Sequence, residues 1–122
     1  MKMRGIRGAT TTVVDEKDMV VSVTKELLQE MIDKNNLQPD DVCSVFISTT
    51  KDVTSVFPAS ALRTIEGWKF VPIMCFAEID VAGALEKCIR VMIHANTSRS
   101  QEEIEHIYLN EAVKLRPDLI EK

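Results

Sequence analysis

A chain of 122 residues is the size of one ordinary domain, long enough to bury a single core and too short for two, so residues 1–122 are read as one unit. Hydrophobic residues at 45% and charged residues at 28%, with four glycines and four prolines, exclude disordered, collagen-like and membrane classes. The net charge of −4 argues against a general nucleic-acid surface, which relies on a clustered basic face, so any basic site must be local.

In chain order, Met1–Val14 carries Gly5 and Gly8 around Ile6 and Arg7 before a β-branched stretch from Thr10. This reads as a first strand whose glycines let something approach the backbone. Asp15 opens a helix. Val20, Val23, Leu27, Leu28, Met31 and Ile32 recur at the spacing of one helical face, and the pattern stops at Asn35 and Asn36. Pro39-Asp40-Asp41 is a turn or a single helical turn, and Val42–Ser48 is a mostly apolar run of strand length, expected to be buried on both faces. Pro58 suits the first turn of a short helix over Ala59–Glu66, stopped by Gly67. Trp68–Phe76 returns as a strand, in which Pro72 favours an edge position.

Lys87–Ala95 alternates as a strand, with Ile89, Val91 and Ile93 on one face and Cys88, Arg90, Met92 and His94 on the other. Gln101–Glu105 is a short helical turn, and His106–Leu115 turns back towards strand before Arg116 and Pro117. There is no internal repeat or linker. The expected architecture is α+β, a mixed β-sheet with helices mainly on one face.

The longest apolar runs fall well short of the ~20 residues a membrane span requires, and no apolar signal core follows the first charges, so the expected location is the cytoplasm. Cys43, Cys75 and Cys88 are odd in number and each lies in an apolar stretch, which suits reduced, buried thiols better than a disulfide frame. No CxxC or Cys/His spacing suggests a metal, and His94 and His106 read as surface or satisfied residues.

The arginines are the informative charges, because a planar guanidinium is the usual choice for gripping carboxylates. Arg90 sits on a strand face among apolar neighbours, where it needs an anionic partner; a structural ion pair and a bound anion both satisfy that need. Arg7 lies between small residues that allow close approach, although solvated surface is the commoner fate of such a residue. Glu78 follows an apolar run, where a solvated loop carboxylate is the ordinary reading. Cys75 is by default a small core residue, Tyr108 a half-buried aromatic with a bonded hydroxyl, and Arg63 and Arg116 surface charges.

Taken together, several strings resemble the monofunctional chorismate mutase family first known from Bacillus. They are Arg4-Gly5-Ile6-Arg7-Gly8-Ala9-Thr10-Thr11, Val56-Phe57-Pro58-Ala59 with Arg63, Gly67-Trp68, and Val71-Pro72 followed by Cys75 and Glu78. Further along come Lys87-Cys88-Ile89-Arg90-Val91-Met92, His106-Ile107-Tyr108-Leu109 and Leu115-Arg116-Pro117-Asp118-Leu119, so the likeness extends along nearly the whole chain.

The resemblance implies a homotrimeric pseudo-α/β-barrel with active sites between subunits, chorismate as a small anionic substrate, prephenate as product, and no cofactor or metal. It assigns Arg7 to a substrate carboxylate, Arg90 to the ether oxygen and a carboxylate, and Glu78 with Cys75 to the ring hydroxyl end. Tyr108 supports the side-chain carboxylate, Ile73 and Met74 line a wall, and Leu115 and Arg116 close over from the C-terminal segment. Phe57, Ala59 and Arg63 arrive from the neighbouring chain. Ser60 and Met74 depart from the family pattern, which has a lysine and a threonine there. Chorismate rearrangement is pericyclic, so the lack of a catalytic triad agrees with this reading. Two rivals are a trimeric module that binds a small carboxylate without turnover and a trimeric imine or enamine hydrolase.

Overall fold

The computed structural model describes residues 1–115. Five strands form one mixed sheet: β1 (Lys2–Thr11), β2 (Val42–Thr49), β3 (Ile73–Ala77), β4 (Cys88–Thr97) and β5 (Ile107–Tyr108). Their order across the sheet is β3-β2-β4-β1-β5. β4 runs antiparallel to both β1 and β2, whereas β3 is parallel to β2 and β5 parallel to β1. The α+β reading and the mixed sheet are both found.

One long helix, α1 (Lys17–Lys34), covers one face of this sheet and buries Val20, Thr24, Leu27, Leu28, Met31 and Ile32. These pack on Ile6, Val45, Ile47, Ile89, Val91 and Ile93, the inward side chains of β1, β2 and β4. Glu16, not Asp15, caps the helix, its side chain accepting the Asp18 N–H. Asp15 is held elsewhere, accepting bonds from Thr54 and Ser55 in the loop after β2. At the other end buried Asn35 stitches the helix to the approach of β5, donating to the Met31 and Glu105 carbonyls and accepting the Glu105 N–H.

Of the three cysteines expected to be buried, Cys88 is, Cys75 is half-buried and Cys43 is exposed. Three further expectations change. β2 is not buried on both faces: Val45 and Ile47 are fully buried while Phe46 between them is 38% exposed, because α1 covers only one side of the sheet. The segment from Trp68 to Pro72 is a compact turn rather than strand, bonded Trp68 N–H to Ile65 and Val71 N–H to Trp68, and β3 begins only at Ile73, on the sheet edge. Pro58–Thr64 winds as a tight 3₁₀ segment, a form common in short connectors.

Candidate active site

Strand register turns the uncovered face of the sheet into two transverse rows. Phe76, Ser48, Arg90, Ala9 and Tyr108 form one, linked through the pairs Ser48 with Phe76, Ser48 with Arg90, Ala9 with Arg90 and Ala9 with Tyr108. Met74, Phe46, Met92 and Arg7 form the next. Side chains alternate along a strand, so Arg7 and Arg90 emerge on the same face, away from α1.

All of these residues except Met74 floor an open cleft of about 520 Å³, lined by Arg7, Ser48, Arg90, Tyr108 and Leu115 among apolar Phe46, Phe76 and Met92. The other described arginines differ. Arg4 donates to the Arg99 carbonyl, Arg99 donates to the Lys34 carbonyl, and Arg63 stands exposed on the 3₁₀ segment. Arg90 Nε is buried without a hydrogen-bond partner among the described residues, and the nearest carboxylate oxygen, Glu78 Oε1, is 3.6 Å away. At that distance the pair attracts but does not close into a charge-assisted bond, which requires about 2.7–2.9 Å.

Glu78 itself is anchored twice to β2: its N–H donates to the Thr49 carbonyl at 2.8 Å, and Ser48 Oγ donates to its Oε1 at 2.5 Å. The loop that follows is tied down as well. Lys51 pairs with Asp80 at 3.0 Å, and the Asp52 carboxylate accepts the Thr50 hydroxyl and the Lys87 N–H. Burial pushes the Asp52 carboxyl up, but those bonds outweigh it and hold it below the usual carboxylate range. Two residues before Arg90, burial raises the Cys88 thiol above its ordinary value against the lowering effect of the Arg90 charge.

One chain thus brings together Arg7, Arg90, Tyr108 and Leu115, with Glu78 reaching Arg90 from the adjoining loop. Other expected site residues lie elsewhere. Ile73 and Cys75 turn towards the α1 side and pack on the main core, in register with Val45 and Ile47. Cys75 and Phe57 line a separate groove with Lys17, Val56, Pro58 and Phe76. Phe57 is 76% exposed, Ala59 and Ser60 are half-buried, and Met74 stands exposed in the second row. Arg116 lies outside the described residues.

Two functional neighbours escaped the sequence reading. Ser48 was hidden because a strand expected to be buried on both faces gives a serine no outlet, yet its spacing from Phe46 marks the open face. His106 accepts the Arg7 N–H, a relation across 99 positions that no local pattern reveals. Gly8 also changes meaning: a Cβ there would lie 2.4 Å from Met31 Sδ, so its bareness serves packing on α1 rather than ligand approach. Among the described residues no three His, Cys, Asp or Glu side chains gather as metal ligands, and no helix is long and apolar enough to cross a membrane.

A cleft floored by two outward arginines, with a carboxylate held just short of one of them, defines an α+β protein built to receive a small anion. A family model for chorismate mutase type I matches residues 3–119. The chain is 47% identical over 119 residues to chorismate mutase AroH of Bacillus subtilis (strain 168), covering 98% of this chain and 94% of that one. It is 42% identical over 118 residues to chorismate mutase AroH of Thermus thermophilus, covering 96% of each. Its fold is similar to that of the chorismate mutase from Clostridium thermocellum, with a TM-score of 0.86 at 49% identity, covering 89% of this chain and 96% of that one. The chain belongs to the chorismate mutase type I family, and the enzyme class that goes with that membership is isomerase.

Proposed function

We propose that residues 1–122 form one chorismate mutase domain, which converts chorismate to prephenate for phenylalanine and tyrosine synthesis in the cytoplasm, as a homotrimer and without a cofactor. The observation that carries this reading is the unsatisfied, buried Arg90 Nε beside an open cleft that also holds Arg7. Chorismate is a dianion whose reaction breaks a C–O bond as a C–C bond forms. The demand on the protein is therefore confinement and placed positive charge, not proton transfer.

Confinement of the enolpyruvyl arm over the ring falls to the cleft walls and to a carboxylate grip by Arg7. As the ether bond breaks, its oxygen gains negative charge, and the Arg90 guanidinium is the preorganised donor that meets it. Loss of such a donor costs on the order of 3–4 kcal/mol of transition-state stabilisation. Glu78 faces the ring hydroxyl end, Tyr108 supports the side-chain carboxylate, and Leu115 covers the cleft. Met74, exposed on the open face of the sheet, belongs to a wall.

The homotrimer is supported by what one chain leaves open. Phe46, Met74 and Phe76 are 38%, 59% and 48% exposed on a sheet face that no helix covers, a patch suited to burial against another subunit. Phe57, Ala59 and Arg63 lie outside the Arg90 cleft of their own chain, as expected if they serve the cleft of a neighbour. The direct test is to follow loss of chorismate absorbance with purified protein and to identify prephenate. Chorismate binding without turnover would favour the non-catalytic module.

A further inference from the structure

Ser48 stands opposite Arg90 in the β2–β4 pairing and beside Phe76 in the β2–β3 pairing, in the floor of the cleft. Its hydroxyl donates to Glu78 Oε1 at 2.5 Å, and that same oxygen is the one 3.6 Å from Arg90 Nε. The Glu78 side chain is only 22% exposed and Arg90 Nε is buried, although the Arg90 side chain as a whole is 39% exposed, so water screens the facing atoms only in part. An arginine and a glutamate so placed gain by closing to a direct charge-assisted bond. The oxygen that would make it is instead held by a short bond from the facing strand, and the Glu78 main chain is fixed on Thr49.

We propose that Ser48 is a positioning residue: its hydroxyl keeps the Glu78 carboxylate at a standoff from Arg90 and prevents the two from closing into a self-satisfied ion pair. This deepens the chorismate mutase reading and rests on it for its kinetic consequences, but the geometry it claims is independent of any substrate. The hydroxyl matters because it is a donor. An acceptor or an apolar group at position 48 would leave Glu78 Oε1 with Arg90 as its best partner. The guanidinium would then enter the reaction already neutralised, with its Nε turned to Glu78 rather than to substrate.

The test uses Ser48→Ala, Ser48→Thr, Glu78→Gln and the Ser48→Ala/Glu78→Gln double variant, each checked by thermal melting. Ser48→Ala should lose roughly 10- to 100-fold in kcat/KM, the range expected when a hydrogen bond to a charged group is removed. Much of that loss should fall on kcat. Ser48→Thr, which keeps the donor, should stay close to the parent. Adding Ser48→Ala to Glu78→Gln should cost little more, because a neutral amide has no comparable pull on Arg90.

A crystal structure of Ser48→Ala supplies the readout that needs no activity: the Glu78 Oε1 to Arg90 Nε distance should close from 3.6 Å to about 2.9 Å. An unchanged separation in that crystal overturns the proposal, as does full activity of Ser48→Ala or additive losses in the double variant. If the ion pair closes while the parent protein fails to turn over chorismate, the positioning role stands and the functional reading falls.

Discussion

The main-chain N–H of Arg7 donates to Nδ1 of His106 at 2.9 Å. β5 is two residues long and pairs only with Gly8 and Ala9, so the ladder does not extend to Arg7, and the imidazole supplies the acceptor that a longer strand would have offered. The bond fixes the backbone from which the Arg7 side chain enters the cleft. His106→Asn, whose side-chain oxygen reaches about where Nδ1 lies, should retain most activity. His106→Leu should raise KM for chorismate several-fold, since it leaves the edge N–H without this acceptor. Steady-state kinetics on the two variants decide the point; equal KM values would remove the role.

Arg90→Lys keeps a positive charge and should still lose about 100-fold or more in kcat, because an ammonium cannot reproduce the guanidinium geometry between an ether oxygen and a carboxylate. Circular dichroism should be unchanged. In the parent, kcat should be nearly flat between about pH 6 and 9, where arginines stay charged and no general acid or base takes part. A bell-shaped profile with an intact fold would point to the hydrolase chemistry instead.

The sequence made α1 and the alternation of β4 legible because each has a strong apolar period set against one core. It misled at β2, where Phe46 is apolar yet lies on the open face, since a sequence does not distinguish a residue buried by its own helix from one left for another surface. The stretch from His106 reads as strand by composition, but Asn110 adopts a positive φ of 54° and donates to Thr10, ending β5 after Tyr108. Arg90 was visible as a charge in apolar company. The Ser48 and His106 relations were not, because they join residues 30 and 99 positions from their partners.

Asp15 clamps the loop leading to Phe57, accepting the Thr54 N–H at 3.0 Å, the Thr54 hydroxyl at 2.8 Å and the Ser55 N–H at 3.1 Å. The Thr54 backbone bond is the main cause that holds its carboxyl down, from 3.8 to about 2. A folded-state value below the unfolded one means the stabilisation is complete above pH ~3.8 and is lost as pH falls through about 2. Asp15→Asn should therefore differ from the parent in urea midpoint at pH 5 and converge with it as the pH approaches 2. A constant gap between the two across that range would show that the carboxylate charge is not what holds the loop.

Gly8→Ala tests the packing of β1 on α1. The added methyl would lie 2.4 Å from Met31 Sδ and 3.1 Å from Leu27 Cδ1, both on fully buried side chains. Met31 must shift in a filled core, a change that typically costs about 1–3 kcal/mol. The melting temperature should fall by several degrees. Because the methyl points to the helix and not to the cleft, kcat below the melting transition should change far less than in Arg90→Lys.

The shared site gives the last expectation. Arg90 floors the cleft of one chain, whereas Arg63 is exposed on the 3₁₀ segment outside that cleft, so in the proposed trimer they meet only across a subunit boundary. Arg63→Glu and Arg90→Ala should each damage every site of a pure trimer, the first by repelling the dianionic substrate and the second by removing the donor. In a head-to-tail ring each site draws one side from each of two chains. With random assembly from equal amounts, each of those two chains carries the required intact side with a probability of one half. About a quarter of the sites should then have both sides intact. Co-refolding the two variants should accordingly restore about a quarter of parental activity, against little from either refolded alone. If mass measurement verifies mixed trimers and the mixture gains nothing, Arg63 and Arg90 do not serve one site across the interface.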